Sequence, residues 1–237
     1  MQILKVNTVN FNGKPSVPTK KIQQKITPEF SKKVIGLAGA STSLALLGLG
    51  SQKDKSYEKT LEENFFQLRP GAKPDVFQKA SAAYLYNGND VLVTAPTGTG
   101  KTAIAHYAIT KNLEEGKKTF YTTPLKALSN EKFRDFQKTY GEENVGIITG
   151  DTKVNENAPI ILMTTEVYRN MIFGEQFKEH NPILDNLKTV IFDELHYLGD
   201  VDRGGVWEQS IIFSDPKTQL LSLSATIGNN TDVAKWM

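Results

Sequence analysis

Two short stretches carry residue types that could grip and cleave a phosphoanhydride. Residues 91–102 read VLVTAPTGTGKT. An apolar run ends in Ala95, Pro96, Thr97, Gly98, Thr99, Gly100, Lys101 and Thr102, and the helix-forming AIAHYAI follows at once. Gly98 and Gly100 let the backbone curl and aim its N–H groups at phosphate oxygens. The helix that starts here adds the positive end of its dipole. Lys101 is placed to reach the β- and γ-phosphates of a nucleoside triphosphate, and Thr102 offers a hydroxyl to Mg2+. The general pattern of such loops has Gly in first position; Ala95 stands there and still permits a tight approach.

The second stretch, residues 189–196, reads TVIFDELH. An Asp-Glu pair by itself is usually solvated surface charge. Here it closes an apolar strand downstream of a phosphate loop, where a metal-organising carboxylate belongs. Asp193 suits holding the metal through water, and Glu194 suits orienting and deprotonating the attacking water. His196 follows, and Ser224-Ala225-Thr226 follows another apolar strand. A hydrogen bond from His196 to these hydroxyls is the expected sensor of the γ-phosphate. His106 and His180 have no metal-ligand spacing and are assigned no role.

Positioning these groups takes a particular scaffold. Strand-like apolar runs lie at 91–95, 118–122, 145–148, 160–164, 189–193 and 219–223. Helical patterns fall at 56–68, 75–86, 101–114, 125–138, 165–172, 204–213 and 230–236. Alternating short apolar strands and helices predict an α/β fold: a parallel sheet covered on both faces. Ligands on such sheets bind at the carboxyl ends of strands, and both motifs fall at such ends. No internal repeat interrupts the pattern.

The chain of 237 residues suffices for one such domain plus an appendage. Without cysteine it has no disulfide, Cys-based zinc site or Cys nucleophile, which suits a cytoplasmic location. The net charge of +2 is uneven: residues 1–50 hold seven Lys and one acid, giving +6, so 51–237 carry −4. Residues 1–33 show no sustained period and read as a basic, disordered arm. The arm is either a solvated tail or a binder of phosphate or anionic membrane surface. Residues 34–50, VIGLAGASTSLALLGLG, are too short and too diluted by Gly and Ser for a spanning helix. They read as a loose linker or short surface helix, with a weak membrane-associating or late signal-like segment as the other reading. No stable membrane insertion is expected.

APTGTGKT, DELH and SAT, in that order, resemble motifs I, II and III of the superfamily-two DExH-box helicases over about residues 70–237. The stretch FDELHYLGDVDRGGVWEQSII (192–212) is similar to the Ski/Mtr-type helicases that feed RNA to degradation machinery. So are PDVFQKASA (74–82), TTPLKALSNEKFRDF (122–136), ILMTTEVYRNMIF (161–173) and LSATIGNNTDVAKWM (223–237). The resemblance implies the first RecA-like lobe of a P-loop NTPase, spanning 51–237, which binds ATP and Mg2+. It implies that Phe77-Gln78 is the adenine-recognition element, with the Gln78 amide reading the base. It implies that Pro124, Leu125, Lys126 and Ala127, with Asn130 after them, then Gly150-Asp151 and Thr164-Thr165-Glu166, hold the backbone of one nucleic-acid strand, RNA in preference to DNA. Thr-Thr-Glu ahead of a helix is equally a good N-cap in its own right.

The sequence given stops at Met237, before the motifs IV to VI of the family's second RecA-like lobe and their arginines. An arginine acting on the γ-phosphate is worth ~10³–10⁵ in rate. The expectation is therefore weak Mg-ATP binding, very slow hydrolysis and no translocation for this polypeptide alone. A fragment, a split gene and a truncated pseudo-enzyme all fit. Two other functions stay open: a DNA-unwinding lobe, and a non-catalytic nucleotide- or RNA-binding module. Retention of Glu194 speaks against the last.

Overall fold

A computed structural model describes residues 34–37, 59–63, 73–176, 180–225 and 230–237. The apolar runs become strands β1 (Val34–Leu37), β2 (Asp90–Thr94), β3 (Lys118–Thr123), β4 (Val145–Ile148), β5 (Lys153–Val154), β6 (Ile160–Thr164), β7 (Leu187–Phe192) and β8 (Gln219–Ser224). The periodic segments become helices α1 (Val76–Tyr86), α2 (Lys101–Glu114), α3 (Lys126–Tyr140), α4 (Thr165–Gln176), α5 (Gly204–Ile212) and α6 (Asn230–Trp236). The sheet order is β1-β2-β8-β7-β3-β6-β4-β5. Every pairing is parallel except β4–β5.

All six expected strands and the helical patterns from 75 onward are present, within a few residues at their ends. Of the expected helix 56–68, residues 59–63 are helical and the rest lies outside the described residues. The strand over 34–37, paired with β2 from Val34↔Asp90 to Leu37↔Val93, replaces the linker or surface helix expected there. Residues 1–33 and 38–50, the expected basic arm and the remainder of the apolar stretch, lie outside the described residues. Among the described residues no helix is long and apolar enough to cross a membrane.

Strand side chains alternate between two cores. Val91, Val93, Tyr121, Ile147, Leu162, Ile191, Leu221 and Leu223 join the α1–α3 face. Leu92, Phe120, Ile161, Met163, Val190, Phe192 and Leu220 join the other face with Tyr168 of α4, Trp207 of α5 and Ala234 of α6. A parallel sheet needs burial on both sides, and these runs supply it.

The amino-terminal end of the sheet is held by a buried polar chain. Asn112 donates to Thr119 Oγ1 at 2.9 Å and to Thr189 Oγ1 at 2.8 Å. Gln219 Nε2 donates to the carbonyls of Leu85 at 3.0 Å and Asn89 at 2.7 Å. Satisfied bonds of this kind favour one strand register, because a slip leaves buried groups without partners. The opposite, carboxyl end is thereby left for function.

Behind the DELH segment the chain makes a 3₁₀ turn (Leu195–Gly199) and enters α5 at Gly204, whose N–H donates to Asp200 O at 2.8 Å. A Cβ on Gly204 would lie 2.4 Å from Leu198 O. Arg203 lies over Tyr197, 4.6 Å from the ring centroid, and Tyr197 stacks on the fully buried Trp207 at 5.7 Å. Trp207→Ala should therefore cost ~3–5 kcal/mol by chemical denaturation. An unchanged midpoint would mean that Trp207 does not anchor this face.

His106 of α2 is buried between Phe136 and Tyr140, at 5.1 and 5.5 Å, and its Nδ1 meets the Tyr140 hydroxyl at 2.5 Å. Burial, with a smaller contribution from Lys132, pushes its pKa down to about 4. An imidazole whose pKa falls on folding stabilises the fold fully above the unfolded value of ~6.5 and loses that contribution as pH falls toward 4. The loss should amount to about 3 kcal/mol. His106→Phe should flatten this part of the stability–pH curve; identical slopes for parent and variant would exclude His106 as its source.

Candidate nucleotide site and nucleic-acid surface

β2 is buried along its length and delivers Ala95 to the carboxyl edge, where the Ala95 N–H donates to Ser224 O of β8 at 3.2 Å. Pro96, Thr97 and Gly98 are exposed. Gly98 and Gly100 take φ of 83° and 91°, left-handed values that glycine reaches without penalty. Gly100 is the N-cap of α2, and no side chain caps that helix, so its first N–H groups point to the loop. Thr99 Oγ1 donates to Pro96 O at 2.8 Å, and Lys101 Nζ donates to Ala95 O at 2.7 Å and Pro96 O at 3.1 Å. The loop is thus cross-braced by the ammonium that would engage phosphate.

Gln78 is buried, and its amide serves the protein. Its Nε2 donates to Gly100 O at 3.0 Å and Thr99 O at 3.3 Å, while its Oε1 accepts from the Asp75 N–H at 2.7 Å in the capping box of α1. In this structure the amide ties the phosphate loop to α1. Phe77 is half-buried against the α1–α3 core.

Two strands away from β2, β7 delivers the acidic pair, with β8 between them. The Asp193 N–H donates to Thr122 O at 3.0 Å, its Oδ1 accepts from the Glu194 N–H at 3.0 Å, and its Oδ2 accepts from the Tyr121 hydroxyl at 2.6 Å. Burial, reinforced by Asp193, holds the Tyr121 pKa well above its ordinary value, so the phenol stays protonated and donates. Glu194 sits at φ 57°, ψ 46°. Burial lowers the Lys101 pKa, and the charges of Glu194 and then Asp193 oppose that shift. The phosphate-loop lysine and the acidic pair therefore feel one another across the edge of the sheet.

Among the described residues, His196 is paired with Glu194 and not with Ser224. Its Nδ1 lies 3.1 Å from Glu194 Oε2, because the 3₁₀ turn at Leu195–Gly199 brings His196 back over Glu194. Ser224 Oγ is buried and makes no hydrogen bond, Ala225 is half-buried, and Thr226 lies outside the described residues.

The remaining motif segments continue along the same edge, from β3 to β6 to β4. Leu125, Lys126, Ala127 and Asn130 are exposed, and Pro124 is buried. Lys126 Nζ lies 3.0 Å from Asp151 Oδ1, which also accepts from Thr149 Oγ1 at 2.9 Å; Lys126 and then Thr149 hold the Asp151 carboxyl below its ordinary pKa. Gly150 beside it is exposed. Thr164 and Thr165 are buried, and the Thr165 hydroxyl donates to Thr123 O at 3.3 Å. These two threonines brace the surface from below, and their side chains do not reach it; Glu166 is half-buried. Thr123 in turn meets Ser129 Oγ at 2.7 Å and donates to Leu125 O at 3.0 Å.

The donor set fits a magnesium–nucleotide complex. Among the described residues no group of three or more His, Cys, Asp or Glu could hold a metal ion. Thr102 and Asp193 offer one hydroxyl and one carboxylate, and Mg2+ is commonly held by one or two protein oxygens together with substrate phosphates. Sequence reading missed Tyr121 and the Lys126–Asp151 pair, since neither has a local signature.

Residues 75–233 match the DEAD/DEAH box helicase family. The chloroplastic DExH-box ATP-dependent RNA helicase DExH15 of Arabidopsis thaliana is 43% identical over 164 residues, covering 69% of this chain and 14% of that protein. The antiviral helicase SKI2 of Saccharomyces cerevisiae is 41% identical over 181 residues, covering 74% of this chain and 14% of that protein. The chain thus spans about one seventh of the length of these relatives. The crystal structure of the DUF1998 helicase MrfA bound to DNA and AMPPNP superposes with a TM-score of 0.59 at 20% identity, covering 74% of this chain and 27% of that one, a likeness of fold. With its phosphate loop, acidic pair and serine-bearing strand side by side on a RecA-like sheet, the chain belongs to the DEAD/DEAH box helicase family and is similar to its DExH15 and SKI2 members.

Proposed function

We propose that this chain is the ATP-binding lobe of a helicase that acts on RNA, working with a second RecA-like lobe in the cytoplasm. The observation that carries the reading is the placement of the phosphate loop after β2 and the Asp193-Glu194 pair after β7 on one sheet edge, with only β8 between them. In this reading the Lys101 ammonium exchanges the Ala95 and Pro96 carbonyls for β- and γ-phosphate oxygens. The α2 N–H groups and the 97–100 backbone cradle the phosphates. Thr102 and Asp193 would hold Mg2+, which would supply positive charge against the phosphates. Glu194 takes the proton of the attacking water, and His196 holds the Glu194 carboxylate at 3.1 Å and carries γ-phosphate loss toward the Ser224-Ala225-Thr226 segment. Hydrolysis at useful rates requires the arginines of the second lobe.

RNA is favoured by the name of the DExH15 relative, an RNA helicase. Lys126, Asn130 and the Gly150-Asp151 turn form the exposed rim that meets a strand backbone, with Lys126 passing from Asp151 to phosphate.

Lys101→Ala should weaken nucleotide binding by at least about tenfold, the loss expected for hydrogen bonds to a charged group; equal affinities by calorimetry would remove Lys101 from the site. In a protein containing both lobes, Glu194→Gln should bind nucleotide normally and hydrolyse it ~10²–10⁴-fold more slowly. Turnover at the parental rate would make the base assignment wrong. Single-stranded RNA should stimulate that ATPase more than DNA of the same sequence, and a strong preference for DNA would defeat the RNA assignment.

A further inference from the structure

We infer that Tyr121 is the positioning residue for Asp193, fixing the direction in which that carboxylate meets the metal of a bound nucleotide. The inference rests on the nucleotide site proposed above.

Tyr121 belongs to β3, the strand next to β7. Its side chain is fully buried, and its ring lies edge-on to Phe136 at 5.1 Å. A buried phenol is costly unless its hydroxyl finds a partner, and Phe would fill the same volume without that cost. The single phenolic proton goes to Asp193 Oδ2 at 2.6 Å. The other carboxylate oxygen accepts from the Glu194 N–H, and the Asp193 N–H is bound to Thr122 O, both at 3.0 Å. The Asp193 main chain is thus tied once and its carboxylate twice, once on each oxygen, and a rotation about χ1 or χ2 strains the two carboxylate ties. One of these ties joins main chain to main chain, and the Glu194 N–H tie joins the turn's main chain to the carboxylate; the third depends on the identity of one side chain. The ring that carries it is wedged in the core and cannot follow a wandering carboxylate. A carboxylate locked in this way keeps its remaining lone pairs in fixed directions, as a preorganised metal site requires.

The test uses the full chain, adenylyl imidodiphosphate as the non-hydrolysable nucleotide and Mn2+ as the probe metal, read by electron paramagnetic resonance. Tyr121→Phe should weaken Mn2+ binding to the nucleotide-loaded chain by about tenfold. Metal-free affinity for the nucleotide should stay within about twofold, and the unliganded melting temperature should fall by only a few degrees, as for one lost hydrogen bond. In an Asp193→Asn background the same substitution should change Mn2+ affinity no further. Unchanged Mn2+ affinity in Tyr121→Phe, with nucleotide binding still lost in Lys101→Ala, overturns the positioning role and leaves the nucleotide site standing. An equal loss in the Asp193→Asn background also overturns it. A parental chain that binds the nucleotide equally with and without metal sinks the site itself, and the inference with it.

Discussion

Bringing one ammonium and two carboxylates to the same edge of a parallel sheet is the constraint on which this molecule is organised. Lys101 follows β2 and Asp193 follows β7, and the two strands are separated only by β8. The 91 residues between these two in the sequence fold away so that the two strand ends lie near one another. A parallel sheet makes this arrangement natural, since every β-to-α turn emerges on one side. It also makes it expensive, because lysine and acid compete with water for every contact. Burial lowers the Lys101 pKa against the opposing charges of Glu194 and Asp193, and its resting partners are the two loop carbonyls of Ala95 and Pro96.

The strand order sorts the work. β2, β8 and β7 present the phosphate loop, the serine-bearing turn and the acidic pair. β3, β6 and β4 present Leu125–Lys126, Glu166 and Gly150-Asp151. The boundary between the two halves runs between β7 and β3, where Thr122 O takes the Asp193 N–H and Tyr121 takes its side chain. Three residues after Thr123, on the same strand continuation, Lys126 emerges on the exposed rim. One rigid strand end therefore touches both halves.

Much of this is legible in the residues, and what is not has a physical reason. Runs such as VLVTA and TVIFD announce strands because both faces are buried. VIGL (34–37) does not, since the Gly, Ala and Ser around it dilute the apolar signal and only pairing with β2 defines the strand. β5 is two exposed residues with no burial signature at all. Tyr121 sits in KTFYTT and reads as core, which it also is; its hydroxyl matters because of a residue 72 positions away. Gln78 finds its carbonyl partners 21 and 22 positions on, a distance at which local spacing says nothing. For His196 the sequence suggested the hydroxyls of Ser224 and Thr226; the tight turn after Asp193 sets its Nδ1 3.1 Å from Glu194 Oε2, while Thr226 lies outside the described residues.

That turn has one more implication. Glu194 is a branched-chain-free but full-sized residue held in the left-handed region, at φ 57°, where a Cβ costs ~1 kcal/mol or more and glycine costs nothing. Selection for thermal resistance alone would accordingly drift toward glycine at this position and yield a sturdier, chemically silent protein. The residue proposed as the base is thus carried on a backbone that gives up ~1 kcal/mol of stability to hold it there.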